Sequence, residues 1–209
     1  MKPSSTPGLS GSGPDDGGDE PRERIIRTAY DLFCQHGVQA IGVDRIVAEA
    51  GVAKMTLYRN FRSKEELVVA TLERREELWT WGWLGGEVER RGGTPVEKLL
   101  AIFDALDEWF RRPDYESCLF ISCLLEAHDR TSAIGAASVK GLANIRSLVG
   151  RLADEAGIPD PEGFARRWQM LMSGAIVAAS QGDVDAAKRA REVGSLVLER
   201  EGVLGPGAG

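Results

Sequence analysis

The sequence predicts an all-α protein of about nine helices, on three observations. Apolar residues recur three and four apart along almost the whole chain, the spacing of one helix face. No stretch of useful length alternates apolar and polar residues as a strand would. Helix starts are written as capping signals, at Ser63-Lys64-Glu65-Glu66, Thr94-Pro95-Val96-Glu97 and Asp160-Pro161.

In chain order, residues 1–20 are Gly, Ser, Pro and Asp with almost no apolar side chain, so a disordered tail is expected. They hold no apolar run of the kind that marks a secretory signal. The first helix carries the stripe Ile25, Ile26, Ala29, Leu32 and Phe33 and ends at His36-Gly37. A short helix follows over residues 43–50, with Ile46, Val47 and Ala50 on one face and Asp44 near its positive end. Gly51 is placed to terminate it in a left-handed conformation, and Val52 to plug the turn. The next helix, residues 53–61, turns Leu57 and Phe61 inward. That leaves Lys54, Met55, Thr56, Tyr58, Arg59 and Asn60 facing out. Cations, hydroxyls, an amide and a flat ring are groups that bond phosphate oxygens and touch base edges. Ser63 and Glu66 are expected to satisfy each other's amides, and Lys64 lies in the first turn beyond, where its ammonium could reach a phosphate.

The long helix from Lys64 is expected to end before Gly85-Gly86. Its segment WTWGW cannot turn all three Trp the same way, so at least one is expected outside the core. Thr94 opens a helix with the stripe Val96, Leu99, Leu100, Phe103, Leu106 and Phe110. Residues 118–125 are nearly all apolar and are expected to be buried on most sides. Residues 134–156 carry Leu142, Ile145, Leu148, Val149 and Leu152. The helix from Pro161 carries Phe164, Trp168, Leu171, Met172, Ala175, Ile176 and Ala179, and Asp183 is expected to cap the last one, with Val193, Leu196 and Val197.

Charge is uneven along the chain. The formal net charge is −6, yet between Arg22 and Lys64 eight cations face four anions, a balance of +4 that leaves −10 for the rest. A basic head on an acidic body suits a protein whose body must not adhere to DNA. Catalysis finds no support. His36 and His128 lack partners at helical spacing, no glycine-rich phosphate loop follows a strand, and no metal-ligand spacing occurs. Cys34, Cys118 and Cys123 show no CxxC pairing and read as buried thiols in a reducing cytoplasm; oxidant sensing by Cys118 or Cys123 is an alternative that needs a cation the local sequence lacks.

Ile46, Ala50-Gly51-Val52, Lys54, Thr56-Leu57-Tyr58, Phe61 and Ser63-Lys64-Glu65-Glu66-Leu67, with the helix before them, resemble the TetR family of bacterial transcriptional regulators over roughly residues 21–70. Ile41-Gly42 departs from the hydroxyl residues often found there, and Met55 replaces a small residue. The resemblance implies a helix–turn–helix head (residues 21–67) fused to a helical effector-binding and dimerisation body (68–203). It makes residues 53–60 the recognition helix, with Lys54, Thr56, Tyr58 and Lys64 at positions that contact DNA. It implies a homodimer on a pseudo-palindromic double-stranded operator, no cofactor, no metal and no membrane. Repression relieved by a small effector is the implied output. The small residues Gly174, Ala175, Ala178 and Ala179, with the last helix, resemble the family's four-helix dimer contact. Aromatic and Met side chains line adaptable apolar pockets, so Trp79, Trp83, Phe103, Phe110, Phe120, Trp168 and Met172 are the candidate lining of a site for an apolar or aromatic effector. A helical protein-interaction module with a non-functional helix–turn–helix is the competing reading; it predicts no salt-dependent DNA binding.

Overall fold

A computed structural model describes residues 20–205; the tail expected over residues 1–20 lies outside them except for Glu20. Ten α-helices and one π-helical stretch make up the described fold: α1 Pro21–His36, α2 Val43–Ala50, α3 Lys54–Asn60, α4 Lys64–Arg75, a π-helix Glu76–Leu84, α5 Gly85–Arg91, α6 Pro95–Phe110, α7 Leu119–Ala127, α8 Ala133–Glu155, α9 Pro161–Ser180 and α10 Ala186–Arg200. They divide into two compact units, residues 20–79 with 118–142, and residues 80–117 with 143–205. The first unit thus extends past the head read from sequence, taking in the rest of α4, all of α7 and the first half of α8.

In the first unit α1 packs against α2, α3 and α4. Ile25, Ile26, Ala29, Tyr30, Leu32 and Phe33 are buried on α1, and Ile46, Leu57, Phe61, Leu67 and Val68 meet them from the other elements. Burial of a side chain such as Leu57 stabilises the head by roughly 1.5–3 kcal/mol. The α2–α3 turn follows its chemistry. Gly51 sits in the left-handed region, at φ 62 and ψ 37 degrees. That conformation costs residues with a Cβ roughly 1–2 kcal/mol. The Gly51 amide bonds Ala48 O at 3.3 Å, and Val52 N bonds Val47 O at 3.1 Å. These two bonds close the end of α2. Gly42 caps the start of α2 without a side-chain bond, since it has no hydroxyl to offer.

Three local expectations need correction. The Ser63 hydroxyl accepts from Glu66 N at 3.1 Å, but the Glu66 carboxylate accepts from Arg62 N at 2.7 Å, so the box is closed one residue early. Helix does not stop before Gly85-Gly86. It continues through the π-helix and α5 to Arg91, with Trp83, Leu84 and Val88 buried along the way. That burial outweighs the roughly 1 kcal/mol each glycine costs in a helix. Asp183 does not cap α10; its carboxylate accepts from Asp185 N at 3.1 Å in the preceding turn. The other caps form as written: Thr94 and Glu97 make a complete box, and Asp160 accepts from Gly163 N at 2.9 Å.

In the second unit α6 packs on α5, α9 and α10, and α10 on α9. Its core is aromatic, with Phe103, Trp109, Phe164 and Trp168 buried. The three Trp of the π-helix diverge as expected: Trp79 and Trp83 are buried, while Trp81 is exposed with Arg151 stacked 5.5 Å from its ring centroid.

Candidate nucleic-acid interface

The site is built from α3 outward. Leu57 and Phe61, four apart, are fully buried and fix which way the seven-residue helix faces. Met55 and Arg59, also four apart, therefore point to solvent, with Thr56 beside them and Tyr58 on the flank. Met55 is 65% and Tyr58 44% exposed. Arg59 and its neighbour Arg62 are exposed, so the presented face is cationic and carries a phenol, a hydroxyl and a thioether.

Three of the seven candidate DNA contacts already have partners. Lys54 forms an ion pair with Asp44 of α2 at 2.6 Å, and that hydrogen bond raises the ammonium above its ordinary pKa. Asn60 donates Nδ2 to the Thr56 carbonyl at 2.8 Å, turning back onto its own helix. Lys64 donates Nζ to the Val38 carbonyl at 2.5 Å, and partial burial lowers its pKa. A phosphate near Lys64 would compete with that carbonyl. Also within the head, His36 Nε2 lies 3.0 Å from Arg45 Nη2, and Arg45 pairs with Glu49 at 2.9 Å.

The seven candidate effector contacts are all buried, but they fall in both units. Trp79 and Phe120 belong to the first. In the second, Trp83 and Phe110 gather around Trp109, at 6.4 and 5.8 Å between centroids, and Phe103 lies 5.0 Å from Trp168. Met172 is buried on α9. A cavity of about 600 Å³ in the second unit is lined by Arg91, Thr94, Glu97, Asp104 and Arg191 among apolar neighbours, and none of the seven is part of its wall.

Two charged residues that the sequence did not single out, Arg75 and Glu87, are buried. Arg75 donates to the Tyr30 hydroxyl and lies over the rings of Tyr30 and Trp79, at 5.6 and 4.9 Å. A guanidinium over a ring face is held by the ring's quadrupole. The signal was an arginine four residues before a tryptophan on one helix face. Glu87 is held below the usual carboxylate range by Arg90 and Arg91, against its burial. Leu125 also departs from expectation: it is 68% exposed, because the buried side of α7 is spent on Leu119, Phe120 and Cys123.

Burial pushes the Cys123 thiol up to about 12 and raises Cys118 as well. Both are therefore poor thiolates. Alkylation of the native protein at mildly alkaline pH should modify Cys34, which is half-buried, well before the other two; equal rates by mass spectrometry would refute this. Among the described residues no helix is long and apolar enough to cross a membrane, and no cluster of three or more potential metal ligands occurs.

A turn-linked helix pair, packed on α1 and presenting a cationic outer face, defines a helix–turn–helix protein. Residues 25–71 match the model of the family described as "Bacterial regulatory proteins, tetR family". Over that segment the chain is similar to TetR-family regulators. It is 43% identical over 56 residues to the HTH-type transcriptional activator FasR of Mycolicibacterium smegmatis, a match covering 27% of this chain and 26% of FasR. It is 40% identical over 60 residues to an HTH-type transcriptional regulator of Staphylococcus aureus, covering 29% and 32%. The matched segment thus spans between a quarter and a third of these relatives. The whole fold resembles a TetR-family transcriptional regulator from Streptomyces coelicolor (TM-score 0.77, 24% identity, 86% of this chain and 95% of that one). It also resembles the reduced form of E. coli NemR (TM-score 0.75, 22% identity, 85% and 97%).

Proposed function

We propose that the protein is a transcriptional regulator that binds a pseudo-palindromic operator as a homodimer and that a small apolar or aromatic effector lowers its operator affinity. Residues 21–67 read the DNA, and residues 68–203 dimerise and receive the effector. The observation that carries the reading is the outward face of α3, where Met55, Thr56, Tyr58 and Arg59 stand in or near solvent over a fully buried Leu57. Of the candidate contacts, these four reach bases and phosphates directly, while Lys54, Asn60 and Lys64 would exchange a present partner for DNA.

Dimerisation is supported by an apolar strip on the second unit. Met170 and Val177 on α9 and Val193 and Leu196 on α10 are 44–73% exposed, one face of each helix. A contiguous exposed apolar patch marks a contact surface. A second copy covering it would place two recognition helices on one duplex, since a single helix reads too few base pairs. Leu196→Asp is expected to shift sedimentation from dimer to monomer and to abolish tight operator binding; an unchanged dimer would remove the strip from the interface. Support for an apolar or aromatic effector comes from the rings around Trp109. Repression is the output a dimer occupying a promoter most directly produces, and the cytoplasm is where such a protein acts.

The test is a mobility shift on the intergenic DNA upstream of the gene, at several salt concentrations and with candidate effectors. Each phosphate neutralised should contribute about −0.9 to the log–log salt slope. Binding that ignores salt, or no binding at all, would favour the protein-interaction reading instead.

A further inference from the structure

Glu126 stands where a helix disfavours it. It occupies the last turn of α7, beside the negative pole, a position that suits a cation. Its carboxylate serves another segment: Oε1 accepts from Val38 N at 3.3 Å and Oε2 from Gln39 N at 2.8 Å. Bonds from amides to a charged acceptor are the stronger kind. Val38 and Gln39 form the turn that joins α1 to α2. Gly37 opens that turn with φ at +79 degrees, and a Cβ there would stand 2.9 Å from Glu126 Oε1. The glycine therefore serves twice, taking a positive φ with extended ψ that side chains disfavour and admitting the carboxylate. From the other side Lys64, in the first turn of α4, donates to the Val38 carbonyl. One peptide segment is thus gripped by α7 and α4 together, and all of these residues lie in the first unit. Phe120 of α7 rests on Gly141 of α8, where the ring occupies the space a Cβ would need.

We propose that Glu126 is a positioning residue for DNA recognition: its two-amide grip holds the α1–α2 turn, and through it α2 and α3, in the arrangement that fits the duplex, so that a displacement of α7 is felt at the head. The role rests on the DNA-binding reading above. It carries a sign that separates it from plain electrostatics. Removing an anion beside the DNA-binding head should by charge alone strengthen binding. Losing a brace should weaken it.

The experiment uses the full chain as wild type, Glu126→Ala and Glu126→Gln. Duplex affinity for the upstream DNA is measured across salt, and exchange of the Val38 and Gln39 amides is followed by NMR. Glu126→Ala is expected to speed exchange at these two amides and to weaken DNA binding about tenfold, the scale of losing hydrogen bonds to a charged group. The salt slope should stay parallel, because no phosphate contact is removed. Glu126→Gln keeps one acceptor oxygen and should fall between the two on both readouts. If Glu126→Ala does not fold by circular dichroism, the comparison of Glu126→Gln with wild type decides alone. Unchanged or tighter DNA binding by a folded variant overturns the proposal, as does unchanged amide exchange. Should the wild type bind no duplex, the DNA-binding reading and this role fall together; wild-type binding with an indifferent variant overturns the role alone.

Discussion

Trp168→Ala is expected to lower the free energy of unfolding by about 3–5 kcal/mol, read as a reduced urea midpoint with an unchanged slope. The indole is fully buried. It stacks on Phe164 at 5.0 Å between centroids, and meets Phe103 at 5.0 Å. Gly194 of α10 leaves room for it, since a Cβ there would lie 2.9 Å from the ring. One side chain therefore joins α6, α9 and α10, and truncation opens a void at their junction. Trp168→Phe keeps most of the volume and should cost much less, roughly 2 kcal/mol or below. The indole N–H has no acceptor among the described residues. Removing an unsatisfied donor recovers part of its desolvation penalty. A Phe variant as unstable as the Ala variant would mean that the N–H is in fact satisfied.

The second large effect concerns DNA. The triple variant Lys54→Ala/Tyr58→Ala/Arg59→Ala should bind operator about 100-fold more weakly near physiological salt, roughly 1 kcal/mol for each contact. Loss of two cations should make the log–log salt slope shallower by about 1.8 if both meet phosphates. Circular dichroism should be unchanged, because all three side chains are exposed. Asp44→Asn should act the opposite way and tighten binding, since Asp44 holds the Lys54 ammonium at 2.6 Å and a phosphate must displace it. Wild-type affinity in the triple variant would show that α3 is not the reading helix.

The head was legible because its information is local. Gly51 ends α2, Ser63 caps α4, and Leu57 with Phe61 orients α3, all within a few residues of where each acts. What escaped depends on distant partners or on packing that overrides propensity. Glu126 acts on amides 87 and 88 residues away, a pairing with no periodic trace. A carboxylate at a helix C-terminus was nonetheless a usable clue. Arg75 gives no local sign of burial, since its enclosure depends on Tyr30 of another helix as well as on Trp79. Gly85 and Gly86 looked like a helix end by propensity, and the burial of Trp83, Leu84 and Val88 carried the helix through them. The aromatic residues were read as the lining of an effector site; interior position alone does not gather them around one ligand, and they are distributed over two units.

The exposure of Met170, Val177, Val193 and Leu196 bears on how the protein behaves when diluted. If a second copy shelters these side chains, association and folding draw on the same free energy, and the melting temperature climbs with concentration by mass action. Micromolar and nanomolar solutions would then be different samples, and a titration at the lower end would report assembly and DNA capture as one event.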